Sequence, residues 1–96
     1  MNIHNLNKAF ENRIRLGIMS VLLVNDSVDF KFLKEKLGLT DGNLASHASA
    51  LEKLGYIAVI KQFVGKKPNT QYSVTKLGEK AFKEHLSALG ELIKLG

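Results

Sequence analysis

Residues 29–55, DFKFLKEKLGLTDGNLASHASALEKLG, decide the fold. Asp29 is a helix-capping residue, and the segment after it is amphipathic: Phe30, Leu33 and Leu37 share one face, while Lys31, Lys34 and Glu35 take the other. Gly38 ends this helix, because glycine accepts the left-handed backbone that closes a helix C-terminus. Leu39 leads to Thr40, a second cap, and a further helix is expected from Asp41 to about Leu54, closed by Gly55. Its inner stripe is Leu44, Ala48, Leu51 and Leu54. Its outer face holds Gly42, Ser46, Ser49, Ala50 and Lys53, small or polar throughout. A glycine-containing link of about three or four residues between two such helices is the signature of a helix-turn-helix. Packing alone does not ask for so bare an outer face, since long side chains are good helix surface residues. A face that must slide into a groove does ask for it, and the alternative is an ordinary solvated face.

Upstream, the periodic segment from about Leu6 to Val24 predicts a first helix, with Leu6, Phe10, Ile14, Gly17, Val21 and Val24 on one side. Asn5 or Asn7 is its expected cap and Asn25-Asp26 its stop. Val28-Asp29 reads as a short extended piece. Downstream, Tyr56–Val64 alternates as a strand, with Ile57, Val59 and Phe63 on one face and Tyr56, Ala58 and Ile60 on the other. Gly65-Lys66-Lys67-Pro68-Asn69 is the strongest turn signal in the chain. Thr70–Val74 is expected to return as a strand, with Tyr72 and Val74 inward, and Thr75 to cap a last helix reaching about Leu95. The expected fold class is α+β in the order helix-strand-helix-helix-strand-strand-helix, one domain over residues 1–96.

The chain of 96 residues is 45% hydrophobic, with a mean hydropathy of -0.03, ordinary values for a folded domain. A two-lobed dinucleotide fold needs far more chain. There is no cysteine, which removes disulfides, thiolate metal sites and cysteine nucleophiles together. The start lacks the basic and apolar regions of a secretory signal, and the longest apolar run, Val21–Val24, is too short to cross a bilayer, so the expected location is cytoplasmic. The net charge of +5 is uneven: residues 1–60 carry +1 and residues 61–96 carry +4. Between Lys61 and Lys76 lie Lys66 and Lys67 and no acid at all. Clustered charge of one sign attracts a polyanion or an anionic surface; the alternative is a solvated lysine-rich hairpin that only aids solubility.

Four stretches in this order carry a family resemblance. They are residues 13–23, RIRLGIMSVLL; residues 29–40; Asp41-Gly42-Asn43-Leu44 with His47, Leu51 and Gly55-Tyr56-Ile57; and residues 72–78, YSVTKLG. The chain resembles winged helix-turn-helix transcriptional regulators of the MarR/ArsR-like kind, closest to the small prokaryotic winged helix DNA-binding domain family. The resemblance implies that residues 40–54 form the recognition helix and 65–69 the tip of the wing. DNA contacts would then fall on Thr40, Asn43, Ser46, Ser49, Ala50 and Lys53, with Lys66, Lys67 and Asn69 in the wing. Relatives often carry Arg or Lys near Ser46 and Ser49, where this chain has hydroxyls. Arginine to guanine is the commonest specific base contact, and this helix holds no arginine. Part of the readout is therefore expected from groove shape. The implied protein is a double-stranded DNA-binding regulator, a repressor acting as a homodimer, with no cofactor and with any effector unknown. The competing function is a winged helix used for protein–protein assembly, which calls for an exposed apolar patch on the outer helix face and wing; none is visible in the sequence.

No carboxylate pair, Ser-His-acid arrangement or phosphate-binding loop is visible, so an enzyme is not expected. His4, His47 and His85 lack the spacing of metal ligands, and no metal site is expected. His47, at the edge of the inner stripe, is expected to donate a hydrogen bond to a backbone carbonyl, with a phosphate contact or a pH or metal role as alternatives. In the last helix Leu86, Leu89 and Ile93 fall within about 40 degrees of Phe82 on the helical wheel. Ala81, His85, Ala88, Leu92 and Leu95 adjoin them, making an apolar arc of roughly 180 degrees where one contact needs about 100. The surplus predicts dimerisation through the terminal helices, about residues 6–24 and 76–95, with Leu6, Phe10, Phe82, Leu86, Leu89 and Ile93 at the interface. The alternative is a last helix folded back on the first.

Overall fold

The computed structural model describes residues 3–94. Its elements are α1 Arg13–Leu23, β1 Val28–Asp29, α2 Phe30–Leu37, α3 Asp41–Lys53, β2 Ile57–Val64, β3 Lys67–Val74 and α4 Lys76–Lys94. The strands form one antiparallel sheet in the spatial order β1-β3-β2. This is the expected α+β winged helix-turn-helix order, and Leu95 lies outside the described residues.

The central pair forms where its caps dictate. The Asp29 carboxylate accepts from the Phe32 N–H at 2.8 Å, and Gly38 closes α2 at φ +65°. Thr40 Oγ1 accepts from the Asn43 N–H at 3.1 Å and starts α3. Leu33 of α2 and Leu44, Ala48 and Leu51 of α3 are buried against Ile18, Met19 and Leu22 of α1. Leu54 is a correction: α3 ends at Lys53, the chain turns through Gly55 at φ +80°, and Leu54 is left 47% exposed outside the stripe.

The first helix is shorter than its periodicity predicts. Residues Ile3–Asn5 and Lys8–Phe10 are short 3-10 turns, and α1 begins only after Asn12. Asn12 Oδ1 accepts from the N–H groups of Ile14 and Arg15, while Asn7 Oδ1 accepts from Ala9 and caps only the second turn. Asparagines that bond their own backbone compete with helix continuation. Phe10 is buried, but by packing across the chain: its ring lies 5.1 Å from that of Phe82, edge to face, and 5.3 Å from Tyr56. The Asn7 N–H donates to His85 Nδ1 at 2.9 Å and its side-chain amide to the Tyr56 hydroxyl at 3.1 Å. The N-terminal segment is thus strapped to α4.

The hairpin is tighter than expected. Val64 pairs with Lys67, so the turn is Gly65-Lys66 alone, with Gly65 at φ +65°, and β3 starts at Lys67 rather than Thr70. Pro68 and Asn69 are strand residues. Proline survives in the middle strand because β1 pairs only with Gln71 and Tyr72, which leaves the other edge of β3 open at position 68.

α4 is held to the hairpin by Thr75, whose hydroxyl donates to the Gly55 carbonyl at 2.6 Å and accepts from the Gly78 N–H at 2.9 Å. Gly78 lies directly on the Tyr56 carbonyl, where any Cβ would overlap the backbone. No helix among the described residues is long and apolar enough to cross a membrane.

Candidate nucleic-acid interface

α3 buries one stripe and offers the rest. Asn43, Ser46, Ser49 and Lys53 are exposed and Ala50 is half-buried. Thr40 spends an oxygen lone pair on its cap, which leaves the hydroxyl hydrogen to donate outward. Lys34 of α2 reaches Asp41 at 2.7 Å, with the Asp41 side chain exposed and that of Lys34 partly so. Such an exposed pair adds little stability, but it places a cation against the carboxylate that otherwise repels an anion at the start of α3.

His47 departs from its expected role. Its Nδ1 accepts from Arg15 Nε at 3.1 Å and so ties α3 to α1. The bond needs a lone pair on Nδ1, so it is a side-chain tie rather than donation to a carbonyl.

The hairpin has two faces. Strand alternation and the continuous β2–β3 register put Val59, Lys61 and Phe63 on one face with Tyr72, Thr70 and Pro68. This face turns toward α3: Val59, Lys61, Thr70 and Tyr72 line an open cleft with Ala45, Ser49 and Glu52. Burial, and then the negative charge of Glu52, push the Tyr72 hydroxyl above its usual pKa of 10.0. Lys67 and Asn69 belong to the opposite face. There Asn69 Oδ1 accepts from Gln71 Nε2 at 2.7 Å and from Gln62 Nε2 at 3.4 Å, and Gln71 Oε1 accepts from Ser27 Oγ at 2.8 Å. Asn69 is therefore a rung of an amide ladder, and only Lys66 stands at the tip.

Lys61 was missed as a candidate, although its signal was present: two residues beyond Val59, it shares that residue's face. The expectation that the wing lacks exposed apolar surface is overturned. Ile60 is 56% exposed, Phe63 74% and Val64 61%, because the outer half of the hairpin extends past every element that would cover it.

The expected dimer residues divide. Phe10 and Phe82 are buried in their own chain, with exposures of 2% and 1%, so they are core. Leu6 and Leu89 are half-buried, while Leu86 and Ile93 lie open. The adjoining flank, His85 and Ala88, is buried in the fold, with His85 held by the N-terminal segment. Among the described residues, no group of three His, Asp or Glu side chains is placed to hold a metal.

The family model described as winged helix DNA-binding domain matches residues 14–93. The uncharacterized protein MJ0432 of Methanocaldococcus jannaschii is 34% identical over 87 residues, 91% of this chain and 95% of that protein. A transcriptional regulator homologue protein from Pyrococcus horikoshii OT3 superposes with a TM-score of 0.83 at 35% identity, covering 90% of this chain and 85% of that one. The ytfH protein from Salmonella typhimurium gives 0.74 at 29% identity, covering 92% and 77%.

Proposed function

The chain belongs to the winged helix DNA-binding domain family, and from that premise we propose that it is a MarR/ArsR-like transcriptional regulator that binds double-stranded DNA sequence-specifically as a homodimer. The observation that carries the reading is the shared cleft, in which Ser49 of α3 and Lys61 and Thr70 of the hairpin line one open surface. A major groove admits a helix, and α3 presents Asn43, Ala45, Ser46, Ser49 and Lys53 outward, with Glu52 at the side turned to the hairpin and Lys61 beside it in the cleft. With α3 seated there, Asn43, Ser46 and Ser49 meet base edges, Thr40 and Lys53 meet phosphates, and Ala50 packs against the groove wall. Lys66 and Lys67 straddle the adjacent backbone from the two sides of the hairpin tip.

Leu86, Leu89 and Ile93 supply the dimer contact. A solvent-facing Leu and Ile on one helix stripe is an aggregation liability unless a partner covers it, and two-fold pairing of α4 covers it with the same residues of a second copy. Two recognition helices about 34 Å apart then read a palindromic site. The regulatory output is repression in the cytoplasm: a dimer laid across two major grooves occludes the stretch it occupies. Residues 1–96 act as one such domain, without cofactor or catalysis.

A second reading, a protein-assembly module, draws on the exposed Ile60, Phe63 and Val64. Selection from a random duplex library, with sequencing of the retained DNA, separates the two. An enriched palindrome supports the regulator. Retention no better than for bare matrix at low salt rejects it.

A further inference from the structure

Phe63 is the one aromatic side chain that the fold leaves mostly in solvent among the described residues. It stands 74% exposed one residue before Val64 and the two-residue turn, on the hairpin face that is turned toward α3. Its cross-strand neighbour is Pro68, whose ring fixes its own backbone and backs the phenyl ring with a second apolar surface. Gly65 at φ +65° closes the hairpin without slack, so the pair is carried on a held rather than a loose loop.

The surroundings of this apolar pair say what it meets. Lys61 lies two residues back on the same face, Lys66 at the turn and Lys67 beside it, and the segment from 61 to 76 contains no acid. A protein partner of matching chemistry would have to be apolar and acidic together. A nucleic-acid duplex offers phosphates at its groove rims and, where a base step opens, apolar base faces between them. Along the strand Phe63 sits roughly 7 Å beyond Lys61, outside the cleft that Ser49 lines, so it reaches the groove next to the one that α3 enters. Proteins that work in the minor groove insert phenylalanine or proline between base steps, and pyrimidine–purine steps open most easily.

We propose that Phe63, backed by Pro68 and flanked by Lys61 and Lys66, is an apolar wedge that the wing inserts into the minor groove, unstacking a pyrimidine–purine step beside the site read by α3. The proposal rests on the DNA-binding reading above. It gives the wing a part in specificity, by the ease of opening a step rather than by a base-edge hydrogen bond. It also supplies the shape-dependent readout that an arginine-free recognition helix requires.

The test uses the full chain with a duplex from the library selection, carrying 2-aminopurine at successive TA or CA steps flanking the central site. Wild-type protein should raise the fluorescence at one flanking step per half-site. Phe63→Ala, at an exposed position, should unfold like wild type, lose the fluorescence rise and bind roughly ten-fold more weakly, with an unchanged salt dependence. Phe63→Trp should keep the signal. Lys66→Ala with Lys67→Ala reports separately on the parent reading through salt dependence. Tight wild-type binding without a fluorescence change, or a Phe63→Ala protein that keeps the signal, overturns the wedge and leaves DNA binding standing. Phe63→Ala that binds DNA normally but loses self-association in sedimentation assigns the ring to a protein contact and overturns it too. Absence of any duplex binding by wild type removes both.

Discussion

Tyr72 joins the sheet to the cleft, and its titration reports on that joint. It is buried with its ring beside Phe30, and burial together with the Glu52 carboxylate raises its pKa above 10.0 in the folded protein. A raised folded value means that the folded state holds the proton more tightly than the unfolded chain. The resulting stability is present in full below pH 10 and is lost as pH rises through the folded pKa. Denaturant unfolding between pH 9 and 12 should therefore show a steeper alkaline loss in wild type than in Tyr72→Phe, which lacks the group while the lysines titrate in both. Parallel curves contradict this account of Tyr72. At this scale the sequence was readable wherever a residue's task is local. Asp29, Gly38 and Thr40 act within a few positions of themselves, and each does what its type predicts. His47 was not readable, since Arg15 reaches it through the fold and no local pattern announces that bond; Asn69 was read as a turn residue, and its bond to Gln71, two residues on, follows only once both stand in β3.

At the scale of elements, α3 is the piece whose orientation matters most. The buried stripe Leu44, Ala48 and Leu51 and the open face Ser46 and Ser49 make opposite demands. Ser46→Ala or Ser49→Ala should leave stability within about 0.5 kcal/mol, as for surface changes generally. Leu51→Ala removes a fully buried side chain and should cost about 2 to 5 kcal/mol through lost burial and a cavity. Urea unfolding of the three variants checks both halves, and serine variants as unstable as Leu51→Ala would mean the helix faces the other way. The boundaries of α2 and α3 were legible because caps and glycines bracket a clean period. The start of α1 was not, because Asn5, Asn7 and Asn12 all offer caps and the choice depends on Phe10 finding Phe82, far along the chain. The wing tip was misjudged for a related reason. Pro68 signals a turn in isolation, and only the shortness of β1 frees the strand edge that lets it stay in the sheet.

The whole molecule is elongated, 53 × 25 × 21 Å. Leu86 and Ile93 on α4 remain open after the chain has folded, so Leu86→Glu with Ile93→Glu should keep the fold while splitting the proposed dimer. Analytical ultracentrifugation at tens of micromolar should show wild type as a dimer and the variant as a monomer, with DNA affinity lowered by orders of magnitude. Wild type sedimenting as a monomer ends the dimer proposal. The sequence pointed to an unpartnered helix face, and the fold narrows it, drawing Phe82 into the core and leaving the outer part of the arc. The central claim, that α3 and the lysine-bearing hairpin grip duplex DNA together, is tested most directly by the salt dependence of binding. Each phosphate contact contributes about 0.9 to the slope of log affinity against log salt. Lys66→Ala with Lys67→Ala removes up to four contacts from a dimer, so the slope should become shallower by at most roughly 3 to 4 units, with weaker binding at every salt concentration. A double variant with the slope and affinity of wild type would contradict the account.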